Sequence, residues 1–160
     1  MNKTEQLARE LFSNQDLEEL HQAIAEAEKL TSGEIKLNFE YDVQQDPLLH
    51  ARRIFEALGL VKTRERNATL IAVFLKDRKF AVLGDAGIHE RVPVDFWQSI
   101  AARIETRFRA GQFKLGLLEG IAELSEKLAA YFPRQADDRD EIDNSIGGMG
   151  RGRGGEGGRG

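Results

Sequence analysis

Asp85 follows Gly84 and precedes Ala86-Gly87, at the end of the apolar run Phe80-Ala81-Val82-Leu83. A carboxylate there, beside glycines that let the backbone turn sharply, has two readings: it anchors its own turn, or it is an oxygen ligand. Hard cations such as calcium and magnesium need several oxygens at once. The chain offers further carboxylates at Glu34, which opens an alternating run, and in the acidic segment Asp137-Asp138-Arg139-Asp140-Glu141-Ile142-Asp143. A site drawn from Asp85, Glu34, Asp138, Asp140 and Glu141, completed by backbone carbonyls and waters, suits calcium or magnesium. The rival reading makes Asp85 an Asx-type turn anchor, Glu34 an ordinary exposed glutamate and the acidic run a solvated linker. Arg66 and Asn67 either pair with these carboxylates or bind an anionic group beside the metal. An arginine sits badly next to a cation, so the structural ion pair is the stronger reading of the two.

Other chemistries find no footing. The chain has no cysteine, which removes disulfides, thiolate metal sites and a cysteine nucleophile. His21, His50 and His89 are scattered without the spacing of a zinc site. The acidic segment is not an EF-hand loop, because Ile142 occupies a ligand position and the required glycine is missing. No nucleophile elbow, P-loop or dinucleotide fingerprint is present, and Gly84-Asp85-Ala86-Gly87 lacks the lysine and spacing of a phosphate cradle.

The elements that must position these residues follow from hydrophobic periodicity. Residues 4–12 and 16–30 read as helices, the second with Leu17, Leu20, Ile24, Ala27 and Leu30 on one stripe and Asn14 or Asp16 as cap. Residues 34–42 alternate, with Ile35, Leu37, Phe39 and Tyr41 on the better-covered face of a strand and Glu34, Lys36, Asn38 and Glu40 on the other. A helix from Pro47 to about Leu58 stops at Gly59. Residues 68–75 form a continuous apolar run, the pattern of a strand covered on both faces. The turn Lys76-Asp77-Arg78-Lys79 joins it to residues 80–84 as a hairpin. Helices are expected over 93–109, opened by Pro93, and over 113–131. Trp97 and the phenylalanine stripe read as core.

These connections imply a mixed sheet. A helical crossover between the first two strands favours a parallel, right-handed pair, and the hairpin makes the third antiparallel to the second. The start of the first strand, the start of the second and the end of the third then share one sheet edge. Glu34, Arg66-Asn67 and Asp85 converge there.

The chain's 160 residues, 41% hydrophobic and 31% charged, suit one globular domain over 1–146, with residues 1–13 as a peripheral helix. A flexible Gly/Arg tail is expected over 147–160. That tail carries three arginines and one glutamate, or +2, against −6 for the rest of a chain whose net charge is −4. A mildly acidic domain is a poor general binder of nucleic acid, and the tail has no aromatic residue to stack on bases. No nucleic-acid partner is expected. Without an apolar signal core or a bilayer-length run, the expectation is a cytoplasmic protein without membrane insertion.

Thr31-Ser32-Gly33-Glu34-Ile35, Thr63-Arg64-Glu65-Arg66-Asn67 before an apolar strand, and Gly84-Asp85-Ala86-Gly87-Ile88 together resemble the TPM domain. Val92-Pro93 with Phe96-Trp97, Phe108, Gly111 and Gly116 to Ile121 fit the same pattern. That domain is shared by a thylakoid-lumen photosystem II repair protein, the Psb32 protein and the MOLO receptor-modulator family. The resemblance implies a three-layer α/β/α sandwich and an acidic cluster able to bind calcium or magnesium, which favours the ligand reading of Asp85. It further implies action through protein partners, in maintaining membrane-protein complexes or in stress response. The rivals are a metal-dependent acid phosphatase, with Asp85 as ligand and Arg66 as phosphate clamp, and a plain interaction domain whose acidic edge is structural. Bacterial members often carry an Asp-Glu-Leu-Pro-like sequence after the last helix; here Asp140-Glu141-Ile142-Asp143 stands in its place, with aspartate where proline is usual.

Overall fold

A computed structural model describes residues 1–135 and 141–150. Two helices come first, α1 (Lys3–Leu11) and α2 (Asn14–Glu28). The cap of α2 lies one residue earlier than its periodicity suggests. Ser13 accepts from the Asp16 amide and Asp16 accepts from the Ser13 amide, a reciprocal capping box. Strand β1 (Glu34–Glu40) leads into α3 (Pro47–Ala57), where Pro47 fills the first turn and Asp46 accepts from the amides of Leu48 and Leu49. Gly59 at φ +70° ends that helix and starts a short 3-10 turn, Leu60–Lys62. Strands β2 (Ala68–Phe74) and β3 (Lys79–Gly84) form the hairpin. A short helix α4 (Ala86–His89) follows directly, and then come α5 (Phe96–Arg109) and α6 (Phe113–Tyr131).

The sheet has the order β1-β2-β3, with β1 parallel to β2 and β2 antiparallel to β3. Ile35, Leu37 and Phe39 of β1 and Ile71, Val73 and Leu75 of the β2 segment pack into one core with Leu20, Ile24, Ile100, Ile104, Leu117, Ile121, Leu124 and Leu128 of the helices. On the other face, Ala68, Leu70, Ala72, Phe74 and Ala81 pack against Ala51, Ile54, Phe55 and Leu60. Helices thus cover both faces of a small mixed sheet, the α/β arrangement expected.

Three details differ from the sequence reading. The helix expected from Pro93 starts at Phe96, because residues 93–95 form a turn in which the Phe96 amide donates to the Pro93 carbonyl. The sharp turn read at Asp85 runs directly into a helix that the sequence reading did not include, α4. Above all, β1 has no exposed face: Lys36 and Asn38 are 5% and 4% exposed. Their cover comes from residues 143–147, which run beside β1. Gly147, expected to open the tail, donates its amide to the Leu37 carbonyl and accepts from the Phe39 amide.

Candidate functional site

The sheet edge proposed from topology exists. In register, Glu34 lies opposite Ala68 and Thr69 opposite Gly84, so the starts of β1 and β2 and the end of β3 stand side by side. Asp85, next after β3, donates its amide to the Ala68 carbonyl and continues the ladder. Its side chain is 6% exposed. Arg66 meets it in a two-pronged pair, Nε to Oδ2 at 2.6 Å and Nη2 to Oδ1 at 2.7 Å. Oδ1 also accepts from the Ala86 amide at 2.7 Å, so Asp85 caps α4 as well.

Backbone geometry explains how Arg66 arrives there. Residues 63–66 form a turn closed by the Arg66 amide on the Thr63 carbonyl, with Arg66 itself at φ +53°. A left-handed conformation is costly for a side chain with Cβ. It aims the guanidinium across the edge and leaves the Arg66 carbonyl to accept from the Gly87 amide at 2.9 Å. A Cβ on Gly87 would overlap the Glu65 carbonyl oxygen, and one on Gly84 would enter the Trp97 ring. Both glycines that flag this segment in the sequence are therefore steric requirements of the packing. The side-chain pair raises the affinity of the Arg66 guanidinium for its proton, chiefly through the hydrogen bonds to Asp85.

The remaining residues fall into place around this pair. Glu34 is not an exposed glutamate: it is 3% exposed, and its amide donates to the Asn67 carbonyl. Asn67 is buried, donates its amide to Thr63 Oγ1 and its side-chain amide to the Ser32 carbonyl, and so ties the two strand starts together. Glu141 is exposed and accepts from the Arg64 amide at 3.2 Å, which returns the chain after α6 to the turn that carries Arg66. Asp138 and Asp140 lie outside the described residues.

A calcium or magnesium ion tests this arrangement. Such an ion takes six or more oxygens, several of them anionic. Asp85 does not fit as its first ligand, because both oxygens already accept charged hydrogen bonds from a guanidinium that would repel the ion. Among the described residues, no three histidines or carboxylates are grouped as a coordination shell. Asn67 Oδ1 and Thr69 Oγ1 are buried without a hydrogen-bond partner among the described residues, and neither belongs to such a group. Sequence reasoning placed Asp85 and Arg66 on the same edge and preferred a structural ion pair for Arg66; the two-pronged geometry of that pair and the buried state of Glu34 were not foreseen.

Comparison with known proteins bears on the whole unit. A family model described as the TPM domain matches residues 8–127. The fold is similar to the solution structure of the BA42 protein from the psychrophilic bacterium Bizionia argentinensis, at 37% identity and a TM-score of 0.80, over 85% of this chain and 94% of that one. It is also similar to the N-terminal domain of a protein from P. gingivalis, at 19% identity and a TM-score of 0.63, over 81% and 85% of the two chains, a likeness of fold alone. No curated protein matches the sequence.

Proposed function

The chain belongs to the TPM domain family, and on that premise we propose that it is a binding module acting through protein partners, its acidic edge closed by a structural ion pair. The observation that supports this reading is the engagement of both Asp85 oxygens by Arg66 and the Ala86 amide. The carboxylate on which metal-assisted hydrolysis would rely is committed to holding the turn before β2 against the end of β3. Arg66, the residue that would clamp a phosphate, has Nε and Nη2 committed in the same pair. An aryl phosphomonoester incubated with the protein and magnesium tests the hydrolase alternative. Turnover no higher than that of Asp85→Asn is expected; turnover abolished by Asp85→Asn in a chain that still melts cooperatively would overturn the reading.

One observation favours a second reading, that of a divalent-cation module. The contact of Glu141 with the Arg64 amide brings this carboxylate to the turn that adjoins the edge of buried Glu34. Calcium or magnesium held by Glu34, Glu141, Asp138 and Asp140, without Asp85, is the form this reading takes. Calorimetric titration with calcium separates the two: heat lost on Glu34→Gln and kept on Asp85→Asn supports a cation, and no heat supports the structural edge. The partner class implied by the family resemblance is membrane-protein complexes under stress. Affinity capture from stressed cells that enriches no such complexes argues against it. No helix among the described residues is long and apolar enough to cross a membrane.

A further inference from the structure

The outer edge of β1 carries a second, unrelated arrangement. One edge of β1 is paired with β2; the other meets residues 143–149, which run parallel to it at a single bridge, Asn38 with Gly147. Two ladder hydrogen bonds form, from the Gly147 amide to the Leu37 carbonyl at 3.0 Å and from the Phe39 amide to the Gly147 carbonyl at 2.8 Å. An exposed strand edge is a ready template for an added strand, and here the chain's own strap fills it.

The seat is selective. Lys36, 5% exposed, donates through Nζ to the carbonyls of Asp143 at 3.1 Å and Ser145 at 2.6 Å, so it reads backbone rather than side chain. Ile146 and Met149 pack against the core formed with α1, α2, α5 and α6. Between them the backbone lies close against β1, most tightly at Gly148. A Cβ on Gly147 would overlap Asn38 Oδ1, and one on Gly148, at φ +88°, would overlap the Phe39 carbonyl oxygen. The groove therefore accepts an extended segment of the form apolar–Gly–Gly–apolar, which residues 146–149 supply.

We infer that the outer edge of β1 is a strand-addition site with this apolar–Gly–Gly–apolar code, filled in cis by residues 143–149 and open, once that strap is released, to the same segment of a second copy of the chain. The occupant is identified by the seat itself: Asn38 and the Phe39 carbonyl disfavour side chains at the two central positions and the core takes Ile146 and Met149, and an identical segment from a second copy forms the same contacts. In cis the strap has the advantage of a tethered ligand, so the closed chain excludes competitors. The short ladder places it among the first parts of the structure to open. This inference goes beyond the reading of the Asp85 edge and does not depend on it.

The test uses the full chain carrying Gly148→Val, whose own strap no longer fits, and a labelled synthetic peptide of residues 141–150 as the probe of a second copy. Saturable binding to Gly148→Val is expected. Binding to the unaltered chain, and of a peptide that itself carries Gly148→Val, should be at least tenfold weaker. Hydrogen exchange gives the residue-level readout: the Phe39 amide is protected in the unaltered chain, exposed in Gly148→Val and protected again with peptide. Should Gly148→Val fail to melt cooperatively, the chain carrying Ile146→Asp and Met149→Asp, which changes only strap residues, serves in its place. Absence of binding to the released chain, or binding without return of Phe39 protection, would overturn the inference.

Discussion

Asp85 fastens the junction of β3 and α4 to a part of the chain distant in sequence: to the turn before β2 through Arg66 and to the start of β2 through its own amide on the Ala68 carbonyl, while its Oδ1 caps α4 through the Ala86 amide. Hydrogen bonds between charged groups are stronger than neutral ones, and a bidentate guanidinium–carboxylate pair adds geometric definition. Arg66 is half exposed, so the value of the pair lies more in that definition than in Coulomb energy. Two substitutions probe the backbone that delivers it. Because Arg66 sits at φ +53°, Arg66→Gly should melt higher than Arg66→Ala, the reverse of the usual order of these two residues. Gly87→Ala should destabilise by about 3 kcal/mol in urea titration, because its Cβ must displace the Glu65 carbonyl. A Gly87→Ala chain as stable as the parent would mean that the turn and α4 do not pack as described.

At the scale of elements, α5 and α6 are laced by acid–base contacts on their outer faces. Arg107 holds Glu119 with contacts at 3.0 and 3.1 Å and lowers its pKa below the ordinary value. Burial pushes Glu123 up, but hydrogen bonds from Ser99 and Arg103 outweigh it and leave it lowered. On α2, Asp16 is lowered mainly by the Ser13 amide and Glu19 by Lys114 of α6. Groups whose folded pKa is depressed contribute stability that is present above the unfolded value and lost as pH falls through the folded one. The melting temperature should therefore hold between neutrality and about pH 5 and fall below about pH 4, less steeply in the Glu119→Gln, Glu123→Gln chain. A decline that begins near pH 6 would contradict this.

These elements were largely legible in the sequence. The stripe Leu117, Ile121, Leu124, Leu128 announces α6, and the apolar run from Ala68 announces a strand covered on both faces, because burial leaves a period that composition reveals. What could not be read was burial achieved by an aperiodic segment. Lys36 and Asn38 alternate as if facing water, yet residues 143–149 cover them, and a Gly-Gly pair in a low-complexity stretch gives no periodic signal. The same holds for the candidate site. Topology placed Glu34, Arg66 and Asp85 on one edge, but which charges pair depends on a left-handed arginine that no local pattern specifies.

The whole molecule is an acidic TPM domain in which the two ends of the fold are closed by different means. One sheet edge is locked by Asp85 and Arg66, the outer strand by the chain's own strap. Both closures are made by hydrogen bonds between the chain's own groups. The most direct measurement is thermal unfolding of the unaltered chain and of Asp85→Asn in chelator, calcium and magnesium in turn. Asp85→Asn should melt lower than the parent by the same interval in all three solutions. A ligand at a hundred times its dissociation constant adds about 2.7 kcal/mol to the state that binds it. A calcium- or magnesium-dependent rise of that order in the parent, lost in Asp85→Asn, would contradict the account and make Asp85 a metal ligand.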